Sequence, residues 1–193
     1  FQDMFIAVTL IVAMFMGCTF NAMNMISEKE DGIAFINEIL PMTRSQYIMQ
    51  KLFVGFICGC LSSIITVCIC FRLSLQNAAL MLVLIVLSAF VAALIGLFIG
   101  RASNGLMVGV VYIKIVMLLF MAVPILSFLV GISQPLLSAV CYLIPSQATF
   151  EGIMDLSAGS GTTAVKDILI LLVHCIGWFL LYIGLSMHQR KNS

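Results

Sequence analysis

Five long apolar runs dominate this chain, and they constrain it more than any other feature. Met4–Ile26, Leu52–Phe71, Ala78–Gly100, Gly105–Val130 and Val165–Met187 are each nearly free of charge. A helix needs ~20 apolar residues to cross the hydrocarbon core of a bilayer. Backbone groups in lipid must bond within their own segment, so runs this long are predicted to be helices. The composition agrees: 63% of the residues are apolar and 9% are charged. A soluble domain of this length leaves too much surface in water to hide such an excess. The expected fold is all-α: a polytopic transmembrane helical bundle forming a single domain over 1–193, with the lipid bilayer as its solvent.

The short connections carry the orientation signal. If the segment after the first span lies in the cytoplasm, Lys29, Arg44, Lys51, Arg101, Arg190 and Lys191 are inside, and only Arg72 and Lys166 are outside. The N-terminus of this sequence is then outside and the C-terminus cytoplasmic, in a multi-pass protein of the cell membrane. An outside start without a basic leader suggests a sixth span ahead of Phe1. A net charge of +1 and the lack of a Lys/Arg run argue against nucleic acid.

Two polar segments are long enough to form structure. The inner one, 27–51, reads SEKEDGIAFINEILPMTRSQYIMQK. Ser27 and Glu30 have the spacing of a capping box, which predicts a helix start there. On a helical wheel, Glu30, Asp31, Asn37 and Glu38 fall on one side, and Ile33, Phe35, Ile36, Ile39 and Leu40 on the other. This predicts a short amphipathic helix. Pro41 interrupts it. Thr43 and Gln46 form a second capping box, with Met42 and Tyr47 placed as a hydrophobic staple, and open the helix of the second span. The short helix either anchors the loop in the membrane interface or docks on a protein. Its acidic face suits a protein better than anionic inner-leaflet lipid.

The string Glu28-Lys29-Glu30-Asp31-Gly32, followed by Leu40-Pro41-Met42-Thr43-Arg44, Tyr47 and Lys51, resembles the signature loop of type-2 ABC exporter permeases. The resemblance implies that 27–51 is a cytoplasmic coupling segment. Glu28, Glu30, Asp31, Gly32, Ile33, Ile36 and Leu40 would then meet a separate ABC ATP-binding subunit, which supplies ATP and Mg chemistry that this chain does not bind. It also implies pairing with a second permease subunit, identical or paralogous, and a chain that lacks the family's first helix. The implied function is the permease half of an ATP-driven exporter. An ATP-independent channel or secondary carrier is the alternative; it would call for mid-membrane charges, broken helices or inverted repeats. An intramembrane enzyme would need converging nucleophile, base or metal ligands. No catalytic centre and no metal site is expected.

Other residues are candidates for smaller roles. Gly55/Gly59, Gly96/Gly100 and Gly105/Gly109 have the spacing that lets helix backbones approach closely, either within the chain or across a dimer seam. Lys114 lies about nine residues into the fourth span, ~14 Å deep. It either lines a translocation pathway or snorkels to the inner face. No acidic partner for it is expected inside a span. His174, Trp178 and Tyr182 read as packing residues. Of the seven cysteines, Cys58/Cys60 and Cys68/Cys70 lie two apart, so each pair points to different sides of a helix and reads as packing rather than metal binding. The outer segment, 131–164, is expected to hold short extracellular helices. Leu136–Ile144 is apolar and ends at Pro145. Ser146–Leu156 follows, with Glu151 and Asp155 one turn apart, spaced either to hold a cation or to form an exposed acidic face. Gly159-Ser160-Gly161-Thr162-Thr163 lacks the Lys and the preceding strand of a phosphate loop.

Overall fold

A computed structural model describes residues 2–32, 44–70, 75–131 and 139–192. The helices are α1 (Gln2–Glu30), α2 (Arg44–Cys70), α3 (Leu75–Ala102), α4 (Leu106–Val130), α5 (Pro145–Ser157) and α6 (Gly161–Asn192). No strand occurs among the described residues. Five helices are long and apolar enough to cross a membrane: Asp3–Glu30, Gln46–Cys70, Asn77–Ala102, Leu106–Val130 and Gly161–Leu185. At one end of the bundle α1 and α3 finish and α2 and α4 begin. Charged side chains collect there, and we call it the charged end. At the opposite end α5 packs against α1, α3, α4 and α6, and we call it the plug end.

The helix ends follow local chemistry. α1 passes through Ser27 without a break and stops at Gly32, whose φ of 68° is left-handed. Glycine takes this conformation without a Cβ penalty, so it commonly ends helices. The helix start expected at Ser27 is therefore absent. A capping box needs a non-helical N-cap, and nothing in the preceding apolar run halts the chain before Ser27. The Ser27 hydroxyl instead donates to Asp31 Oδ2 at 3.2 Å. The expected amphipathic helix, with Ile33, Ile36, Leu40, Pro41, Met42 and Thr43, lies outside the described residues. α5 has Pro145 in its first turn, where the missing N–H is not needed.

α1 is the hub, packing on α2, α3, α4 and α5, while α3 is the most buried span and α4 and α6 the least. In lipid there is little hydrophobic drive between helices, so close backbone approach has to hold them. The glycine pairs of α2 and α3 provide it, and all three pairs pack on α1 of the same chain. Gly55 and Gly59 face Gly17, where an added Cβ would strike the Gly55 carbonyl. Gly96 rests on the Cys18 backbone and Gly100 on Ala22 and Met25. Gly109 rests on Ile26, and Gly105 faces Glu30. Hydrogen bonds reinforce the contacts: Asn21 Nδ2 donates to Ala93 O at 3.0 Å, and Ser62 Oγ to Ala13 O at 2.7 Å.

α5 corrects a second expectation. Pro145 through Phe150, Gly152, Ile153 and Leu156 are buried, so no exposed acidic face exists. The helix is wedged against α1, α3, α4 and α6, and Thr149 meets Ser88 of α3 at 2.9 Å. All nine buried residues are uncharged, which favours packing among the helices over a place in water.

The packing of α3 on α1 can be tested directly. A Cβ at Gly96 would meet the Cys18 carbonyl and Cα, which are backbone and cannot yield, whereas Gly177 has open space around it. Gly96→Val should destabilise the chain in detergent by about 1–3 kcal/mol, and Gly177→Val should change stability much less. Chemical unfolding of the two variants beside wild type measures the difference.

Candidate functional site at the charged end

The last turn of α1 carries Glu28, Lys29 and Glu30. Consecutive residues on a helix point about 100° apart, so three neighbours in sequence can reach three different partners. Here they do.

Glu28 reaches α2. It forms an ion pair with Lys51 and accepts a hydrogen bond from the Tyr47 hydroxyl. Lys51 also donates to Asn24 Oδ1 at 2.7 Å, one turn back along α1. The pair is mostly shielded, with side-chain exposures of 11% for Lys51 and 19% for Glu28. Removing one partner would therefore leave a poorly hydrated charge.

Lys29 reaches the end of α3. Its ammonium donates to Gly100 O at 2.7 Å, Arg101 O at 2.8 Å and Ser103 O at 3.0 Å. An ammonium has three donors, and the last carbonyls of a helix have no partner in their own ladder. The charge also opposes the negative end of the α3 dipole.

Glu30 reaches the start of α4. Its Oε1 accepts from Leu106 N at 2.6 Å. A carboxylate at a helix N-terminus satisfies a free N–H and suits the positive end of the dipole. Three consecutive residues thus clamp α1 to α2, α3 and α4. Arg101 extends the ties to α6, with its guanidinium carbon 5.9 Å from the Tyr182 ring centre and Nη2 3.1 Å from Leu185 O.

A sequence model of the ABC-2 family transporter proteins matches residues 1–183. The chain belongs to that family. It is a multi-pass membrane permease of the ABC-2 type. No curated relative and no solved structure matches it.

In this ABC-2 permease the sequence-predicted residues separate into groups. Glu28 and Glu30 come together with Lys29, and their carboxylates are occupied by partners inside the chain. Asp31 sits beside Ser27, and Gly32 ends the helix. Ile33, Ile36 and Leu40 lie outside the described residues. Lys114 is exposed on α4, among the exposed apolar residues Val111, Tyr112, Ile115 and Leu118. His174 has Nε2 3.0 Å from Tyr142 O. Trp178 and Tyr182 stack edgewise on Phe98, with ring centres 5.5 and 5.1 Å away. Among the described residues no three His, Cys, Asp or Glu side chains are placed to hold a metal.

Sequence reasoning missed two things. Lys29 enters the sequence reading through the orientation count and the signature string, and its role as a helix cap depends on where α3 ends in space. Asp167 lies inside the last span and is only 2% exposed, which corrects the expectation that the spans hold no acid. One signal was available for the clamp. Glu28 at one end of the polar segment and Tyr47 and Lys51 at the other are complementary, and they meet.

The Glu28–Lys51 tie should appear in a double-mutant cycle. Glu28→Gln and Lys51→Met should each destabilise by about 1–3 kcal/mol, because each strands the other group. The double variant should lose clearly less than the sum, with coupling of about 0.5–3 kcal/mol. Unfolding titrations of the four proteins provide the check.

Proposed function

We propose that this permease is the membrane subunit of an ATP-driven exporter, with ATP hydrolysis in a separate subunit. The observation that carries the reading is the clamp: the last turn of α1, just before Gly32, is tied to the ends of α2, α3 and α4. A partner that pushes on that segment moves four helices together. The family match supports a transport role, and the positive-inside count supports placing the charged end in the cytoplasm, where an ATPase resides.

On this reading the chain itself binds neither ATP nor Mg and catalyses nothing. Residues 33–43 meet the ATPase, while Glu28, Lys29 and Glu30 act as positioning residues that pass the motion on. α1 is 29 residues long, or ~44 Å. Its far end packs against α5 through apolar side chains. A second permease subunit, identical or paralogous, faces the weakly buried α4. Lys114 sits on that surface, where a charge surrounded by apolar side chains is costly against lipid alone.

Co-purification through a C-terminal tag tests the reading. Wild type should bring down a stoichiometric ATP-hydrolysing subunit. Ile36→Asp should lose that subunit or its coupling while the permease remains expressed. Lys29→Met should retain the subunit but export about tenfold less or worse, which is equivalent to about 1.4 kcal/mol of lost coupling. No ATPase with wild type would sink the exporter reading. Loss of the ATPase with Lys29→Met would instead make the triplet a docking surface. Lys114→Met should lower export if that surface lines the path, and unchanged export rates would remove Lys114 from it.

A further inference from the structure

The plug end holds a second polar cluster, which the coupling reading does not use. Tyr142, in the turn before α5, sets its hydroxyl between Glu151 of α5 and Asp167 of α6. It is in hydrogen-bond contact with Glu151 Oε2 and 3.0 Å from Asp167 Oδ1. Glu151 Oε1 accepts from Gln147 Nε2 at 2.6 Å, and the same nitrogen is 3.2 Å from Ser127 Oγ of α4. Lys166 Nζ lies 5.1 Å from the centre of the Tyr142 ring.

The hydrogens in this cluster can be counted. A phenol has one hydrogen, and an ionised carboxylate only accepts. Burial, then the hydrogen bond to Glu151 and the two nearby carboxylates, push the ionisation of Tyr142 well above its usual range, so its hydroxyl keeps that hydrogen. One hydrogen can fill only one of the two carboxylate contacts. With both acids ionised, the other contact sets two acceptors against each other, and two like charges share one hydroxyl in a cluster where Tyr142 and Glu151 are half-buried and Asp167 is buried. Gln147, whose Nε2 holds Glu151, is itself only 2% exposed and keeps its Oε1 buried without a hydrogen-bond partner.

We propose that Tyr142, Glu151 and Asp167 bind one proton, shared between the two carboxyls, and that this proton latches α5 onto α6. Every element around the cluster fits this count. Asp155 on α5 adds negative charge, Lys166 on α6 opposes it in part, and His174 stands at the Tyr142 carbonyl. α3 and α4 bring only neutral groups here, Asn77, Ser88 and Ser127, since their ionisable residues Arg101, Tyr112 and Lys114 lie toward the charged end. On α1, Asp3 is exposed. The sign follows directly. A proton bound in the folded state stabilises the latch at low pH, and that stabilisation is lost as pH rises through its release. α5 then loosens from α6.

The inference does not depend on what the permease exports, and its test uses the full chain in lipid nanodiscs. Infrared difference spectra between mildly acidic and mildly alkaline buffer, in sodium and then in potassium, should show one protonated carboxyl lost per chain. Asp167→Asn and Glu151→Gln should each abolish that band, because the amide supplies the donor. Hydrogen exchange of α5, corrected for the intrinsic pH effect, should quicken with pH in wild type and become independent of pH in either variant. If one variant fails to fold, the other and the wild-type band still decide. A wild-type spectrum without the band, a band that survives in both variants, or α5 protection that follows the cation rather than pH would overturn the proposal.

Discussion

Helices in lipid gain little by hiding apolar side chains from one another, because the lipid tails are equally apolar. What holds this bundle is therefore close contact, and close contact depends on α1. Gly17, Cys18, Asn21, Ala22 and Ile26 present a narrow ridge, and the glycine pairs of α2, α3 and α4 fit it from three sides. The approach is so close that backbone meets backbone at Gly17 and Gly96. Dispersion contacts are individually small and fall off steeply with distance, so a single added methyl at such a point displaces a whole helix rather than a side chain. The position of α1 thus sets the positions of the other spans.

The charged end uses a different force to the same effect. Helix ends carry unpaired backbone groups and partial charge of opposite sign at the two termini. α3 finishes where α4 begins, so a negative end and a positive end stand side by side. Lys29 and Glu30, adjacent in sequence and opposite in charge, answer them in matching order. Reversing the two residues would put a cation on free N–H groups and a carboxylate on free carbonyls. The order Glu-Lys-Glu is therefore a consequence of which helix ends meet α1, and the Glu28–Lys51 pair fixes the third neighbour.

Much of this was legible in the chain because lipid simplifies the reading. The spans follow from run length alone, and Gly55, Gly96 and Gly109 stand out because small residues have few reasons to recur at that spacing. Other features depended on information the sequence carries only in space. Ser27 and Glu30 fit a capping box in spacing, yet a cap also needs a preceding break, and the apolar run before Ser27 offers none. Glu151 looked like a solvated residue because helical spacing joins it to Asp155, but the faces of α5 are decided by four neighbouring helices. Asp167 stands inside the run Val165–Met187, so its place in a span was legible; its burial was not, because Tyr142 and α5 come from elsewhere in the chain to cover it.

The two polar clusters stand at opposite ends of α1 and differ in how they respond to load. The clamp is built from complementary charges and filled hydrogen bonds, so small displacements are resisted and passed on. At the plug end α1 touches α5 through apolar contacts, Leu10 and Met14 sharing a core with Phe150 and Ile153. Such contacts slide at little cost compared with breaking an ion pair. A rigid coupling at one end and a sliding one at the other means that tilting α1 drags α2, α3 and α4 with it but leaves α5 behind, held by whatever ties it to α6. On the proposed reading, the hold on α5 then rests on Tyr142, Glu151 and Asp167 rather than on the helix that carries the motion.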